Sequence, residues 1–276
     1  MARGQPSFSD AVVFESDLVR IGAFRCDRAY PGFHDTGPAN NDCFVFPRTA
    51  VQIEHEDAPP FVANPNVVTF YNRGQHYLRR EISERGDYCD WFGVNRELAR
   101  EAAGLENEAD EPFRWHRGRC DAGTYLLQRR LFDAVLRGAA DPMSVEETVV
   151  LLLDRVIGAG IPTSADATRR AVMHDVERLL ASRFDQPLTL RQIAGYAGMS
   201  VYHLCRTFRE ATGFALHQYV MQLRIRHGLE RVCETSWPLS RIAVDLGFAH
   251  HSHFTQAFRR DFDLTPSQLR ASRFRC

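Results

Sequence analysis

Residues 193–219 can be laid over residues 242–269, and no other feature of the chain restricts its fold as much. Ile193-Ala194 falls on Ile242-Ala243 and Gly198 on Gly247, an offset of 49. After one inserted residue, Leu204, Phe208 and Leu216 fall on Phe254, Phe258 and Pro266 at an offset of 50. The unit occurs only twice, so it is a duplicated supersecondary element and not a solenoid. Each copy predicts a helix, a glycine-containing turn and a second helix. The small Ala194 and Ala243 let two helices cross closely, and Gly198 and Gly247 supply the backbone freedom of a sharp turn. Leu204/Phe208 and Phe254/Phe258 are i,i+4 pairs that pin the second helix onto the first. That combination is the physical recipe of a helix-turn-helix, whose second helix is left free to enter a DNA major groove. The two units are expected at about 189–210 and 239–262. One copy alone would equally suit a generic αα-hairpin.

Charge favours the DNA reading. Residues 1–168 carry 18 Arg against 26 Asp and Glu, whereas residues 169–276 carry 16 Arg against 9. There is no lysine. A basic C-terminal third on an acidic body suggests that this third meets a polyanion, although a solvated charged face would give the same balance.

Helical geometry then assigns the exposed residues. With Phe254 and Phe258 set toward the core, 100° per residue places His251, Ser252, Thr255, Gln256 and Arg259 outward. The same projection of the first copy places Tyr202, Cys205, Arg206 and Arg209 outward. Tyr202, Cys205, Arg206, His251, Ser252, Thr255 and Gln256 are the expected base contacts. Among them Arg206 suits a guanine edge, Gln256 an adenine edge and Thr255 a thymine methyl. Arg209, Arg259 and Arg260 suit phosphates, which set register and affinity without reading sequence. The stretch "HHSHFTQAFRR" is no metal site on this geometry. His250 lies near the core stripe and His253 on the opposite flank, so the imidazoles do not converge, and no carboxylate or thiolate joins them. Between the copies, "FALHQYVMQLRIRHGLERVCET" predicts a helix about 30 Å long. That is close to the spacing of successive major grooves on one DNA face, about 34 Å. Tyr219, Leu223, Ile225 and Leu229 are its expected anchors.

The front of the chain is different. "AVVFESDLVRIGAF", "CFVF", "AVQIEHE" and "NVVTFY" are short β-branched and aromatic runs, separated by Gly, Pro and Asn clusters. They predict strands up to about residue 95, in a sandwich or small barrel. Helices follow: "NRELAREAAG", then "DAGTYLLQRRLFDAVLRG" with Asp121 as N-cap, then "MSVEETVVLLLDRVIGAG" with Ser144 and Glu147 as a capping box. The last two would form an antiparallel hairpin whose surplus apolar surface could serve a homodimer or, equally, pack onto the strand domain. "GIPTSADA" is the expected linker. The seven cysteines are odd in number and scattered, with no CxxC pair, unlike a stapled secreted scaffold. No apolar run is long enough to span a bilayer, and "MARGQPSFSDAVVF" lacks the apolar segment of a secretory signal. Both point to a cytoplasmic protein with no membrane partner.

"RIAVDLGFAHHSHFTQAFRRDFDLTPSQLRASR" resembles the C-terminal pattern of AraC/XylS-type transcription regulators. Ile242, Ala243, Gly247, Phe248, Ser252, Phe254, Phe258, Arg259, Arg260, Phe262, Thr265, Pro266 and Ser267 all fit it. The first unit, "LTLRQIAGYAGMSVYHLCRTFREATGFALHQYVMQLRIRHGLERV", is similar too, so the resemblance covers about the last hundred residues. Asp263 departs from it where the family usually has glycine, Leu269 where an aromatic is frequent, and Cys205 where a larger polar side chain is usual. The resemblance implies an α+β chain: an N-terminal cupin-like β-barrel with a helical hairpin, then an all-α C-terminal domain with two helix-turn-helix motifs. The expected divisions are a sensor and dimerisation domain at 1–160, a linker at 161–168 and a DNA-binding domain at 169–276. It further implies a bacterial transcription regulator, an activator by family expectation, acting on double-stranded DNA with RNA polymerase. An unknown small-molecule effector would be sensed by the front domain. Phe44, Phe46, Tyr71 and Trp91 could line its pocket, although aromatic residues on strands are usually core. No catalytic residue, metal or cofactor is expected, because His34, His55 and His76 stand singly and far apart. Two alternatives remain open. One is a regulator controlled by a protein partner or by cysteine oxidation; the other is a cupin-type metal enzyme with an attached DNA-binding domain.

Overall fold

The computed structural model describes residues 7–56, 58–107, 109–161 and 166–273. The first six residues of the opening segment, and 162–165 within the expected linker, lie outside them. The chain divides into two compact units, Met1–Pro162 and Thr163–Cys276.

In the first unit the strands pair in antiparallel ladders. The strands are β1 (Phe8–Glu15), β2 (Val19–Cys26), β3 (Asp42–Pro47), β4 (Val51–His55), β5 (Ala58–Ala63), β6 (Val67–Tyr71), β7 (Tyr77–Glu81), β8 (Asp87–Val94) and β9 (Arg117–Arg119). Among the described residues only β1–β2 and β4–β5 are hairpins of consecutive strands. They form a six-stranded sheet of order β1-β2-β8-β3-β6-β9 and a three-stranded sheet of order β5-β4-β7. Phe24, Val45, Tyr71 and Trp91 of the first sheet share one apolar core with Val51, Ile53 and Phe61 of the second. The expected barrel is therefore not closed: no ladder joins the two sheets among the described residues. Pro59 and Pro60 explain one open edge, since β5 could not donate on both sides and takes an edge position. Strand β9 lies beyond the residue-95 limit set for strands. "RGR" has no intrinsic β preference and is strand only because Gly118 pairs with Val68.

Helices α1 (Arg96–Ala102), α2 (Ala122–Leu136) and α3 (Pro142–Ile157) complete this unit. Asn95 and Asp121 cap the first two as their side-chain chemistry predicts. Helix α3 begins one turn earlier than its expected Ser144/Glu147 capping box. Asp141 is the cap, accepting from the Ser144 amide at 3.0 Å, with Pro142 in the first turn. Helix α2 reaches the outer face of the large sheet through Arg129, whose Nη1 donates to the fully buried Asp90 Oδ2 at 2.6 Å. Arg25 approaches the other Asp90 oxygen at 3.3 Å and Arg48 approaches it at 3.7 Å. One carboxylate thus gathers three guanidiniums.

The second unit is helical: α4 (Ala167–Ser182), α5 (Leu190–Tyr196), α6 (Val201–Thr212), α7 (Leu216–Glu234), α8 (Leu239–Asp245), α9 (His251–Phe262) and α10 (Pro266–Arg273). Its front half packs Met173, Val176, Leu180, Ile193, Leu204, Phe208 and Leu223 together. No helix among the described residues is long and apolar enough to cross a membrane.

Candidate functional site

The duplication seen in the sequence is also a duplication of exposure. From Val201 and from His251, twelve residues of α6 and α9 follow the same succession of exposed, half-buried and buried positions. Leu204/Phe208 and Phe254/Phe258 are each fully buried. The physical cause is the shared apolar stripe, which leaves one face of each helix to solvent. Both helices also end alike. Gly213 (φ 80°) and Asp263 (φ 57°) adopt the left-handed conformation, and their amides donate to the carbonyls of Arg209 and Arg259 at 2.8 Å. Ser200 caps the start of α6 by accepting from the His203 amide at 3.2 Å, whereas α9 starts at His250 without a side-chain cap.

Helix α7 joins the two pairs. Its 19 residues span about 28 Å, and Tyr219, Leu223, Ile225 and Leu229 are all buried in it as expected. Gly228 lets α9 approach, since a Cβ there would stand 2.7 Å from the Phe254 ring. The half-buried Arg224 fastens α7 to the loop between α4 and α5 and to the turn of the second copy: it donates to the carbonyls of Phe184 (2.6 Å), Gln186 (3.0 Å) and Gly247 (2.8 Å). Gly247 (φ +78°) passes so near that loop that a Cβ would lie 2.1 Å from the Asp185 carbonyl oxygen. Sequence periodicity gave no sign of Arg224, because its partners are backbone atoms distant along the chain.

Tyr202, Arg206, Arg209, His251, Ser252, Gln256, Arg259 and Arg260 are exposed on these faces. Arg206 and Gln256 occupy equivalent positions in the two copies. Cys205 and Thr255 are half-buried, and the Thr255 hydroxyl is enclosed without a hydrogen-bond partner among the described residues. Both sit on the flank of the core stripe, short of the fully outward position that the projection gave them. His250 is likewise off its expected place beside the core: it precedes α9 in extended conformation (φ −141°) and is exposed. No group of three or more His, Cys, Asp or Glu is placed to hold a metal among the described residues.

Glu210 is a participant that the sequence reasoning passed over. Arg206 Nε donates to Glu210 Oε1 at 2.9 Å, and Arg169 from the start of α4 meets Glu210 Oε2 at 3.5 Å. The Arg206 hydrogen bond lowers the Glu210 pKa, and the same contact raises that of Arg206. The i,i+4 spacing was legible. Its place on the face where Arg206 projects gives it meaning, and the second copy has Arg260 there instead.

A helix-turn-helix domain family matches residues 193–272. Regulatory protein SoxS of Escherichia coli K12 is 33% identical over 103 residues, covering 37% of this chain and 96% of SoxS. The chain belongs to the AraC/XylS family of DNA-binding transcription regulators. The right origin-binding protein of the same organism is 34% identical over 101 residues, 37% of this chain and 35% of that protein. The crystal structure of ToxT from Vibrio cholerae O395 covers 98% of this chain and 99% of its own at 13% identity and a TM-score of 0.37, too slight a likeness to bear on function.

This AraC/XylS regulator holds a cavity of about 250 Å³ between the two sheets of its first unit. Tyr71 and Trp91 line it, and Phe44 and Phe46 do not. Alternation on β3 sends Cys43, Val45 and Pro47 to the cavity and Phe44 and Phe46 to the opposite face. There Phe44 stacks on Phe92 at a centroid distance of 5.5 Å, and Phe46 meets Phe92 edge-to-face at 5.6 Å. Burial holds three thiols of the first unit protonated, raising Cys26 to about 11, Cys43 to about 12 and Cys89 well above its ordinary value. Protonated buried thiols are poor nucleophiles, which counts against control by oxidation at these three. Of the single histidines, His34 Nδ1 meets the Arg79 carbonyl at 2.9 Å and His76 Nε2 meets Asp35 at 3.3 Å. His55 stacks on His116 at 4.3 Å, a neighbour the sequence did not suggest.

Proposed function

We propose that the regulator reads a specific DNA sequence through two helix-turn-helix units, α5–α6 and α8–α9, set into neighbouring major grooves by α7. The observation that carries this is the repeated exposure of α6 and α9. It offers Arg206 and Gln256 at matching positions on either side of a buried helix about 28 Å long. Arg206 and Gln256 read base edges, assisted by Tyr202, His251 and Ser252, with Cys205 and Thr255 reaching only methyl or sugar surfaces from their half-buried places. Arg209, Arg259 and Arg260 bind phosphate. Residues 1–160 form a cupin-like sensor whose cavity takes a small-molecule effector, 161–168 link it, and 169–276 bind DNA. The regulator acts in the cytoplasm, as an activator with RNA polymerase. A second copy of the chain is a further partner, for which the exposed Met143, Val150 and Leu151 of α3 provide apolar surface.

The test is a mobility-shift comparison at fixed salt, on sites selected from random DNA. Arg206→Ala and Gln256→Ala should each weaken specific binding about tenfold or more, with a much smaller loss on non-specific DNA. Equal losses on both would show that neither side chain reads bases.

A further inference from the structure

Exposure separates the mouth of the first unit's cavity from its floor. Phe8, Asp10 and Val12 of β1 line it and are exposed, whereas Val51, Ile53, Ala63, Thr69 and Asp87 line it and are buried. The volume of about 250 Å³ exceeds the roughly 150 Å³ that accommodates benzene, so the cavity suits one ring or its aliphatic equivalent with a short polar arm.

The charged residues of the wall are Asp10, Arg20 and Asp87, and each already has its partner. Asp10 stands in solvent and accepts from the Trp91 indole N–H at 2.7 Å. Arg20 meets Glu15 at 3.1 Å. Asp87, the one charged residue of the floor, faces the buried Arg79 at 3.6 Å as its counter-ion. The Arg79 guanidinium is not part of the wall; it lies over the rings of Phe24 and Tyr77, at 4.7 Å and 5.5 Å. The pair therefore gives the floor no net sign. Burial keeps Cys43, Cys89, Tyr71 and Tyr77 neutral. An ion of either sign would leave water for a floor that holds no opposite charge for it, at a large cost in hydration.

One polar group of the wall still lacks a partner. Among the described residues the Tyr77 hydroxyl makes no hydrogen bond, and it is not enclosed by protein. It interacts electrostatically with Asp87, Cys89 and Cys43, which line the same cavity. Its ring is held against that of Tyr71, with centroids 4.6 Å apart. A fixed phenol hydroxyl can both donate and accept, so it suits an uncharged oxygen on a ligand.

We infer that the cavity takes an uncharged effector, an apolar body of about one ring carrying a carbonyl or hydroxyl oxygen that meets the Tyr77 hydroxyl. This rests on the cavity being the effector site. It is tested on the full chain by calorimetry with 2-phenylethanol, 2-phenylethylamine, phenylacetate and ethylbenzene, and with 1-hexanol, hexylamine and hexanoate. The alcohol of each set should bind at least about tenfold tighter than its cationic and anionic counterparts. Tyr77→Phe should weaken 2-phenylethanol about three- to tenfold and leave ethylbenzene unchanged, which also shows that the cavity survives the substitution. If the amine or the carboxylate binds as tightly as the alcohol, the ligand class is overturned and the effector cavity stands. If Tyr77→Phe weakens ethylbenzene as much as the alcohol, the hydroxyl contact is overturned. If none of the seven probes binds, the effector cavity itself is overturned.

Discussion

Replacing Asp263 with glycine should stabilise the helical unit. Asp263 is the single non-glycine residue with positive φ among those described, at 57°, and the equivalent residue of the first copy is Gly213 at 80°. Both close their helices through the same 2.8 Å amide bond, so glycine can take the place with its hydrogen bonding intact. A left-handed residue bearing a Cβ costs roughly 1–2 kcal/mol, somewhat less for Asp. Its carboxylate also faces the negative end of α9, against the helix dipole. Glycine returns about 0.4–1 kcal/mol to the unfolded chain. The balance is a gain of about 0.5–1 kcal/mol, or a rise in Tm of roughly 2–6 °C for a unit of about a hundred residues. Scanning calorimetry of the full chain reads this directly, and Gly213→Asp should lower the same transition by a similar amount. Asp263→Ala separates the causes, because it removes the charge and keeps the Cβ. Alanine should lose stability. If alanine raised Tm as much as glycine, charge and not backbone strain would govern the position. If glycine lowered Tm, the argument from the repeat would fail.

Two further perturbations test other parts of the structure. Glu210→Gln should release Arg206 and remove a negative charge from the DNA-facing side, raising non-specific affinity while lowering the ratio of specific to non-specific binding. Shift assays over a range of salt concentrations would measure it, and an unchanged ratio would mean that Glu210 does not position Arg206. Asp90→Ala leaves Arg25, Arg48 and Arg129 without their shared carboxylate in a buried place. Urea unfolding should show a loss of about 3–5 kcal/mol, and a loss below about 1 kcal/mol would show that the cluster carries little of the fold.

Much of this regulator is determined locally. The spacing of Leu204, Phe208, Phe254 and Phe258 already states which side of α6 and α9 is buried. The limits of both helix pairs follow from their turn glycines and apolar stripes, and α7 follows from its run between them. A helix shows its buried face in its own periodicity, so the repeat could be followed down to single positions, except at the flank. There Cys205 and Thr255 lie about 100° from the core residues beside them, and neighbouring helices decide how much of each is covered. The β unit was less legible because central strands such as β3 and β6 are buried on both faces. The run Cys43–Phe46 alternates between two apolar environments, a cavity and a helix-covered outer face, and hydrophobicity cannot tell them apart. Only the pairing of β3 between β8 and β6, with α2 fastened over Asp90, sends Phe44 and Phe46 outward and leaves Tyr71 and Trp91 to the cavity. Strand β9, the open edge at β5, the Arg224 clasp and the pairing of Asp87 with Arg79 have the same origin. Each depends on partners far apart in the chain, which only the folded structure brings together.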